Sequence, residues 1–543
     1  MQNTNETQTP DKEKTGSKRK LYLTRAAGVA ILLAVILSVN HFASMAFDKS
    51  RVANYYNYDL RRLKEENKDI DMVVLGASQV FYACNTDLIA GELGDGGEVI
   101  DCASAGSYCD GMYYMLKDLL NRFTPKCVLI DLPWSKLVDY SSESTSRYLS
   151  SDKMLFPGKL DYMVHCLTPE ECLAVLCPIY RYGKRVLSLN QVRRNYADRK
   201  AVQEGNWVDE SERTYRKNGF VWEDKSCPEG GIPALLYSFS DEAVREDYVG
   251  YVKKMVELCN EKQIPVALMT TPASSANIYG IENYQACADY TQSLADELGC
   301  PYLNFNLLKD RDELFPDTLY WDTRHMNGEG SVAFAPVLTD IASKTFRGED
   351  TSDLFYENLE EMKKDVHRIV ACNGTVTPNG DGTIGVETWS FQSEDITPEY
   401  RLLLVPDNID DNKKKAGKDA VDENGKSLAD DEDDRSADDD IGENDAADGD
   451  ATDKNGSVTN GDAAVENDNT AGSAEAQNDS GSKDETDAST DTAIEFQELR
   501  PWQEETFFSI NESEIPQGYV LRLEVRQKGK EEFEAFQNRL GSV

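Results

Sequence analysis

The sequence predicts an α/β protein: a parallel sheet flanked by helices, preceded by one transmembrane helix and followed by a small β-sandwich that carries a disordered acidic insert. Three observations predict it. From about residue 70 to 346, short uninterrupted apolar runs alternate with amphipathic helical patterns, which marks a parallel sheet buried on both faces. Ahead of them lies one long apolar stretch with a basic flank. After about residue 350 the apolar period falls to two, and a charged run free of aromatics interrupts it.

Residues 1–20 are polar, end in Ser17-Lys18-Arg19-Lys20, and read as a cytoplasmic tail. Residues 21–47 contain one full charge, Arg25, and the core from Ala26 to Val39 is apolar or small throughout. This length suits one membrane-spanning helix, with Tyr22 and a snorkelling Arg25 at the basic, inner end and His41 at the other. A cleaved signal peptide is the rival reading, because Ser44-Met45-Ala46 offers small residues at a cleavage site; the apolar stretch is long for one. Either way the body is placed outside the cell membrane.

The α/β region is expected over 48–349. Strands are expected at Asp71–Leu75, Glu98–Asp101, Cys127–Asp131, Ile264–Met269 and Pro301–Phe305. Helices are expected at Asn85–Leu93, Met112–Phe123, Glu282–Leu298 and Gly330–Phe346, with another opened by a Ser240 cap and running to Glu261. The segment from about 156 to 236 breaks the alternation and reads as a cap or insertion. Beyond it, 350–406 and 493–543 are two parts of the β-sandwich, with strands at Thr383–Phe391, Glu399–Val405, Ile494–Phe496, Glu505–Ile510 and Tyr519–Arg526. Asn379-Gly380-Asp381-Gly382 is a turn rather than a calcium loop, since the series of oxygen ligands is incomplete.

The insert, 407–492, holds 28 acidic and 8 basic residues and no Phe, Tyr, Trp or Pro. It cannot bury enough surface to offset the entropy of ordering, so disorder is expected. This run carries about half of the net charge of −41 that 98 acidic and 57 basic residues give the chain. The remaining acid excess still argues against nucleic acid, which needs a basic footprint. Twelve cysteines show no paired CxxC ladder and read as small buried hydrophobes, with a disulfide framework, which the exported side permits, as the alternative. The four histidines stand at no zinc-ligand spacing to them, so neither a metal nor a cofactor is expected.

Three segments carry chemistry. Val73-Val74-Leu75-Gly76-Ala77-Ser78-Gln79 puts Ser78 just after a buried strand, at the sheet edge where open α/β folds place their sites; such a serine also serves as a helix cap. Ala103-Ser104-Ala105-Gly106-Ser107 is a small-residue loop after the second strand, where Gly106 can aim its N–H at an oxyanion or simply make a tight turn. Tyr320 to Gly330 contains Asp322 and His325, three apart. That spacing lets a carboxylate hold Nδ1 of an imidazole and free Nε2 as a base. Cys84, behind Ser78, has no base placed for it and is expected to be packed.

The order GxS, then a Gly loop, then DxxHxNxxG before the last helix resembles the SGNH (GDSL-like) hydrolase superfamily. Within it the nearest resemblance is to membrane-anchored members that accompany membrane-bound O-acyltransferases, such as D-alanyl-lipoteichoic acid biosynthesis proteins and alginate O-acetyltransferase-like proteins. The resemblance covers about residues 70–345 and implies an SGNH-type parallel sheet. It implies Ser78 as nucleophile, His325 as general base, Asp322 as its orienter, and the N–H groups of Ser78 and Gly106 as oxyanion hole. It also implies an acyl esterase or O-acyltransferase acting on a cell-envelope polysaccharide beside a membrane-bound O-acyltransferase partner. Two departures stand out. Ala77 replaces the usual aspartate, and Leu132-Pro133-Trp134-Ser135 lacks the asparagine that supplies a side-chain oxyanion donor. The second departure also admits a catalytically degenerate surface binding or assembly protein. The C-terminal β-region, through Tyr400, Trp502 and Gly518-Tyr519, resembles Ig-like or triple-tyrosine modules of bacterial surface proteins.

Overall fold

In the computed structural model of the chain, the described residues are 12–47, 51–94, 96–138, 143–183, 189–204, 208–209, 213–227, 232, 239–240, 243–281, 283–393, 395–406, 497–532, 535–537 and 540–542. The acidic run and the strand expected at Ile494–Phe496 lie outside them.

Helix α1 spans Lys12–Phe47, and α2 spans Arg51–Glu66. Within α1, Tyr22–Asn40 is long and apolar enough to cross a membrane. Its 19 residues rise about 28 Å at 1.5 Å each, close to the roughly 30 Å of a hydrocarbon core.

The α/β region then runs β1 (Ile70–Leu75), α3 (Ser78–Ala83), α4 (Thr86–Leu93), β2 (Glu98–Asp101), α5 (Cys109–Leu120) and β3 (Cys127–Asp131). Next come helices α6 (Glu143–Lys153), α7 (Gly158–Cys166), α8 (Pro169–Leu176), α9 (Pro178–Tyr182) and α10 (Leu189–Gln203). Three short strands follow, β4 (Val208–Asp209), β5 (Arg213–Tyr215) and β6 (Val221–Glu223), forming their own antiparallel sheet. The alternation resumes with α11 (Glu246–Glu261), β7 (Val266–Thr270), α12 (Ser275–Gly280), α13 (Tyr284–Leu298), β8 (Tyr302–Asn304), α14 (Arg311–Leu314) and α15 (Gly328–Phe346).

The main sheet has the order β2-β1-β3-β7-β8 and every pairing in it is parallel. Alternation along each strand divides two cores. Met72, Val74, Leu129 and Met269 join one core with Phe334 and Leu338 of α15. Val73, Leu75, Ile130 and Leu268 join the other with residues of α2, α5 and α11. Strand order reverses direction beside β1, because the chain goes from β1 to β2 on one side and returns to β3 on the other. Such a switch point opens a crevice at the carboxyl ends of the strands.

After α16 (Leu359–Lys364) come β9 (Ile369–Pro378), β10 (Thr383–Gln392), β11 (Pro398–Pro406), β12 (Gln497–Gln503), β13 (Phe507–Asn511), β14 (Tyr519–Gln527), β15 (Ala535–Gln537) and β16 (Gly541–Ser542). They form two four-stranded sheets, β13-β10-β9-β16 and β12-β11-β14-β15. Ile384, Val386, Phe508 and Ile510 of the first meet Leu402, Leu404, Leu521 and Leu523 of the second in one apolar core. Asn379–Gly382 is a plain hairpin turn: Asn379 N–H bonds Thr383 O, and the Asp381 carboxylate accepts from Thr383 N–H and Oγ1–H.

One expectation needs correction, and two features lay outside what the sequence led one to expect. The helix expected from Ser240 begins at Glu246, because Val244 bridges Val138 and Arg245 N–H bonds Leu137 O, which hold these two residues out of the helix. Strand β9 was not foreseen. On β14, Arg522 and Glu524 are buried and paired, and Arg401 joins Glu524 across the strands. The twelve cysteines lie among the described residues; none is in a disulfide and seven are buried.

Candidate active site

The switch point gathers the three segments singled out above. Gly76 links β1 to α3, and a Cβ there would fall 2.4 Å from Val80 Cγ2 and 3.0 Å from Asp131 Cβ. Only glycine permits that close turn. Ala77 then adopts extended backbone, and Ser78 opens α3 at the sheet's carboxyl edge, partly exposed. Ser78 Oγ lies 2.8 Å from His325 Nε2. His325 Nδ1 lies 2.7 Å from Asp322 Oδ2. A carboxylate only accepts, so Nδ1 carries the proton and donates it to Asp322; Nε2 then accepts from the Ser78 hydroxyl.

The loop holding Asp322 and His325 is tightly built. Trp321 N–H bonds His325 O across it, and Asn327 N–H bonds Leu319 O. Asp322 Oδ1 accepts from the amides of Arg324 and His325, both at 2.7 Å. Burial would raise the Asp322 pKa, but the His325 imidazole and these amides outweigh it and hold the carboxyl below its ordinary value. The imidazole stacks on the Trp321 ring at 5.1 Å and meets the edge of Tyr82 at 5.5 Å. Asn327 caps α15 by accepting from Gly330 N–H. Gly328 and Gly330 have no room for a side chain, because a Cβ would strike the Trp222 ring and Leu319 O, respectively. The DxxHxNxxG spacing is thus a cap plus two close approaches that fix the loop against its helix.

Sequence reading missed several supports. Ser274 N–H and Oγ–H both bond Thr323 O, tying the loop after β7 to the Asp322–His325 loop. Fully buried Arg311 holds that same β7 loop through Ala273 O and Ser275 Oγ. Trp321 and Tyr82, which set the ring plane, sit about 240 positions apart in the chain, and no local signal links them.

The Gly106 loop lies beside Ser78. Cys102 N–H bonds Val74 O, and Ser104 N–H bonds Gly76 O. Ser107 N–H bonds Ser104 O, closing a turn in which Gly106 takes φ +60°, the left-handed region that favours glycine. Among the described residues, neither the Ser78 nor the Gly106 amide donates to a protein acceptor. Buried Lys153 of α6 pins the loop by donating to Ala103 O, and its ammonium lies 4.7 Å from the centre of the Tyr56 ring. Cys84 is fully buried, and burial pushes its thiol well above the ordinary value, which makes it inert.

A cavity is lined by Gln79 and Arg324, the chain neighbours of Ser78 and His325, and by Pro133, Ser135, Asn277 and Tyr284. Asp131 closes β3 next to it. Its Oδ1 accepts from Thr271 N–H and Oγ1–H, while Oδ2 is buried without a partner. Burial pushes this carboxyl up to about 6, the Thr271 bonds resisting. The sign follows. Between about pH 4 and 6 the folded protein keeps a proton that the unfolded chain releases, so stability falls as pH rises through that window. Asp131→Asn keeps the acceptor for Thr271 and removes the titration. Its stability relative to wild type should therefore rise by on the order of 3 kcal/mol from pH 4 to 7. Urea unfolding followed by tryptophan fluorescence checks this; a difference flat with pH contradicts it.

Fold and site together define an α/β protein with a serine–histidine–aspartate hydrogen-bonded chain at the switch point of a parallel sheet. No protein-family model matches the chain, and no curated protein matches it. Among solved structures, it is similar to a GDSL-like lipase from Bacteroides thetaiotaomicron VPI-5482, at 11% identity and a TM-score of 0.26, over 53% of this chain and 98% of that one.

Proposed function

We propose that the chain is an exported, membrane-anchored SGNH-type serine acyl esterase or O-acyltransferase, which moves a small acyl group to or from a cell-envelope polysaccharide. The observation that carries this reading is the hydrogen-bonded chain from Ser78 through His325 to Asp322. In the proposed reaction His325 Nε2 takes the Ser78 proton as Oγ attacks the acyl carbonyl. The amides of Ser78 and Gly106 stabilise the oxyanion. The imidazolium, steadied by Asp322, returns its proton to the leaving oxygen, and an acyl-enzyme remains. A sugar hydroxyl or water, deprotonated by His325, then takes the acyl group and restores Ser78. The basic tail Ser17–Lys20 stays cytoplasmic and the body lies outside. A membrane-bound O-acyltransferase is the proposed source of the acyl group.

The missing asparagine after Asp131 favours a second reading, a degenerate fold that only binds the glycan or its partner enzyme. Loss of one oxyanion donor lowers the rate by about 10²–10³. The two readings separate when the full chain in detergent is given 4-nitrophenyl acetate and a soluble oligosaccharide. The enzyme reading expects released acetate or an acetylated oligosaccharide. Neither product, from a folded chain, supports the binding reading.

A further inference from the structure

Outside α1, nine of the thirteen exposed large apolar side chains among the described residues fall between 155 and 196. Phe156 is 63% exposed, Val164 70%, Leu189 72% and Tyr196 70%. Leu160 and Val164 share one face of α7, being four apart on a helix. Exposed Leu173 and Leu176 do the same at nearly one turn on α8. No globular core asks for such a concentration, and patches of this kind mark interaction surfaces.

Two observations say what covers it. The first is continuity with the apolar span. Asn40, the last residue of the span, donates from Nδ2 to Leu176 O at 2.9 Å, and α1 packs against α9 and α10. Leu176 therefore stands at the level where the span leaves the hydrocarbon, and the exposed Leu173 and Tyr180 flank it in sequence. The second is charge. Residues 155–200 hold eight basic and four acidic residues in a chain whose net charge is −41. Arg193 and Lys200 are exposed on α10. Apolar side chains with aromatic and basic neighbours are the composition of a helix lying in a membrane interface.

We propose that α7 to α10 form an interfacial foot that rests on the outer surface of the bilayer beside α1, with its apolar side chains at the boundary of acyl chains and headgroups and the exposed Arg193 and Lys200 toward anionic headgroups. This rests on the reading of α1 as a membrane span. The foot holds the body against the membrane instead of leaving it to swing on α1. Helix α6, which supplies Lys153 to the Gly106 loop, packs on α7 and α8, so the foot is continuous with the candidate site.

The test uses the full chain reconstituted into phosphatidylcholine vesicles, with and without phosphatidylglycerol, that contain a lipid bearing a photoreactive diazirine on its acyl chain. Labelled peptides are mapped by mass spectrometry. Labelling is expected in α1 and in 155–196, the latter increasing with phosphatidylglycerol. In the variant Leu160→Glu, Val164→Glu, Leu173→Glu, labelling of 155–196 should fall several-fold while that of α1 is unchanged. Labelling confined to α1, with or without cross-linked pairs of chains, overturns the foot and leaves the span standing. Absence of labelling from α1 as well overturns the span, and the foot with it.

Discussion

Replacing Ser78 with alanine is expected to lower turnover of an acetyl ester by about 10³–10⁴. Removing a triad serine elsewhere removes about 10⁶ from kcat. On the proposed reading the wild type lacks an asparagine donor worth about 10²–10³, and the observable ratio above background is expected to be smaller by about that factor. The substitution leaves the fold alone. Ser78 makes no capping bond, its Oγ reaches His325 Nε2, and the residue is partly exposed. An alanine there removes a hydroxyl without opening a core cavity, so the unfolding midpoint should stay within error. Steady-state rates of wild type and Ser78→Ala, measured on the full chain in the same detergent, check this. Equal rates would move the hydrolysis elsewhere on the protein.

Asp322→Asn is expected to cost nearly as much, and for a different reason. The Asp322 carboxylate faces two ways: Oδ1 takes the amides of Arg324 and His325, and Oδ2 takes Nδ1–H of the imidazole. An asparagine keeps its oxygen on the two amides, because turning it would set two N–H groups against two more. Its NH₂ then faces Nδ1, which must accept. The ring proton moves to Nε2 and points at the Ser78 hydroxyl, so the base is occupied. A wrong tautomer of this kind lowers kcat by about 10⁴ where the geometry is otherwise intact. The expected signature is a fall in kcat with KM little changed and Ser78 still in place. A rise in KM with the fall in kcat, together with lost thermal stability, would instead mean that Asp322 only builds the loop.

Much of the α/β region was legible in the sequence because its strands are buried on both faces, and continuous apolar runs such as Val73-Val74-Leu75 say so directly. The site was legible because glycines and a cap fix each loop locally: Gly76 before Ser78, Gly106 in its turn, and Asn327 three residues before Gly330. Strand β9 was not legible, for a physical reason. Ile369 and Cys372 point into the core of the two later sheets, while Val370 and Ala371 point into the α/β core. A strand buried on both sides shows no alternation, and Asn373-Gly374 in its middle looks like a turn. The buried charges of β14 were not legible either, since the burial of Arg522 and Glu524 depends on Arg401 meeting Glu524 across the sheet. Lys153, Arg311 and Tyr82 act through contacts remote in sequence, and nothing in their neighbourhoods announces them.

The foot on the bilayer and the chemistry at Ser78 are separable claims, and the second is central. Its most direct measurement is the mapping of a fluorophosphonate adduct on the full chain by peptide mass spectrometry. A phosphonate bonds a serine that a neighbouring base has activated. One adduct is expected, on the peptide containing Ser78, absent from Ser78→Ala and strongly reduced in His325→Gln. No adduct on the folded wild type, or an adduct that persists unchanged in Ser78→Ala, would contradict the account.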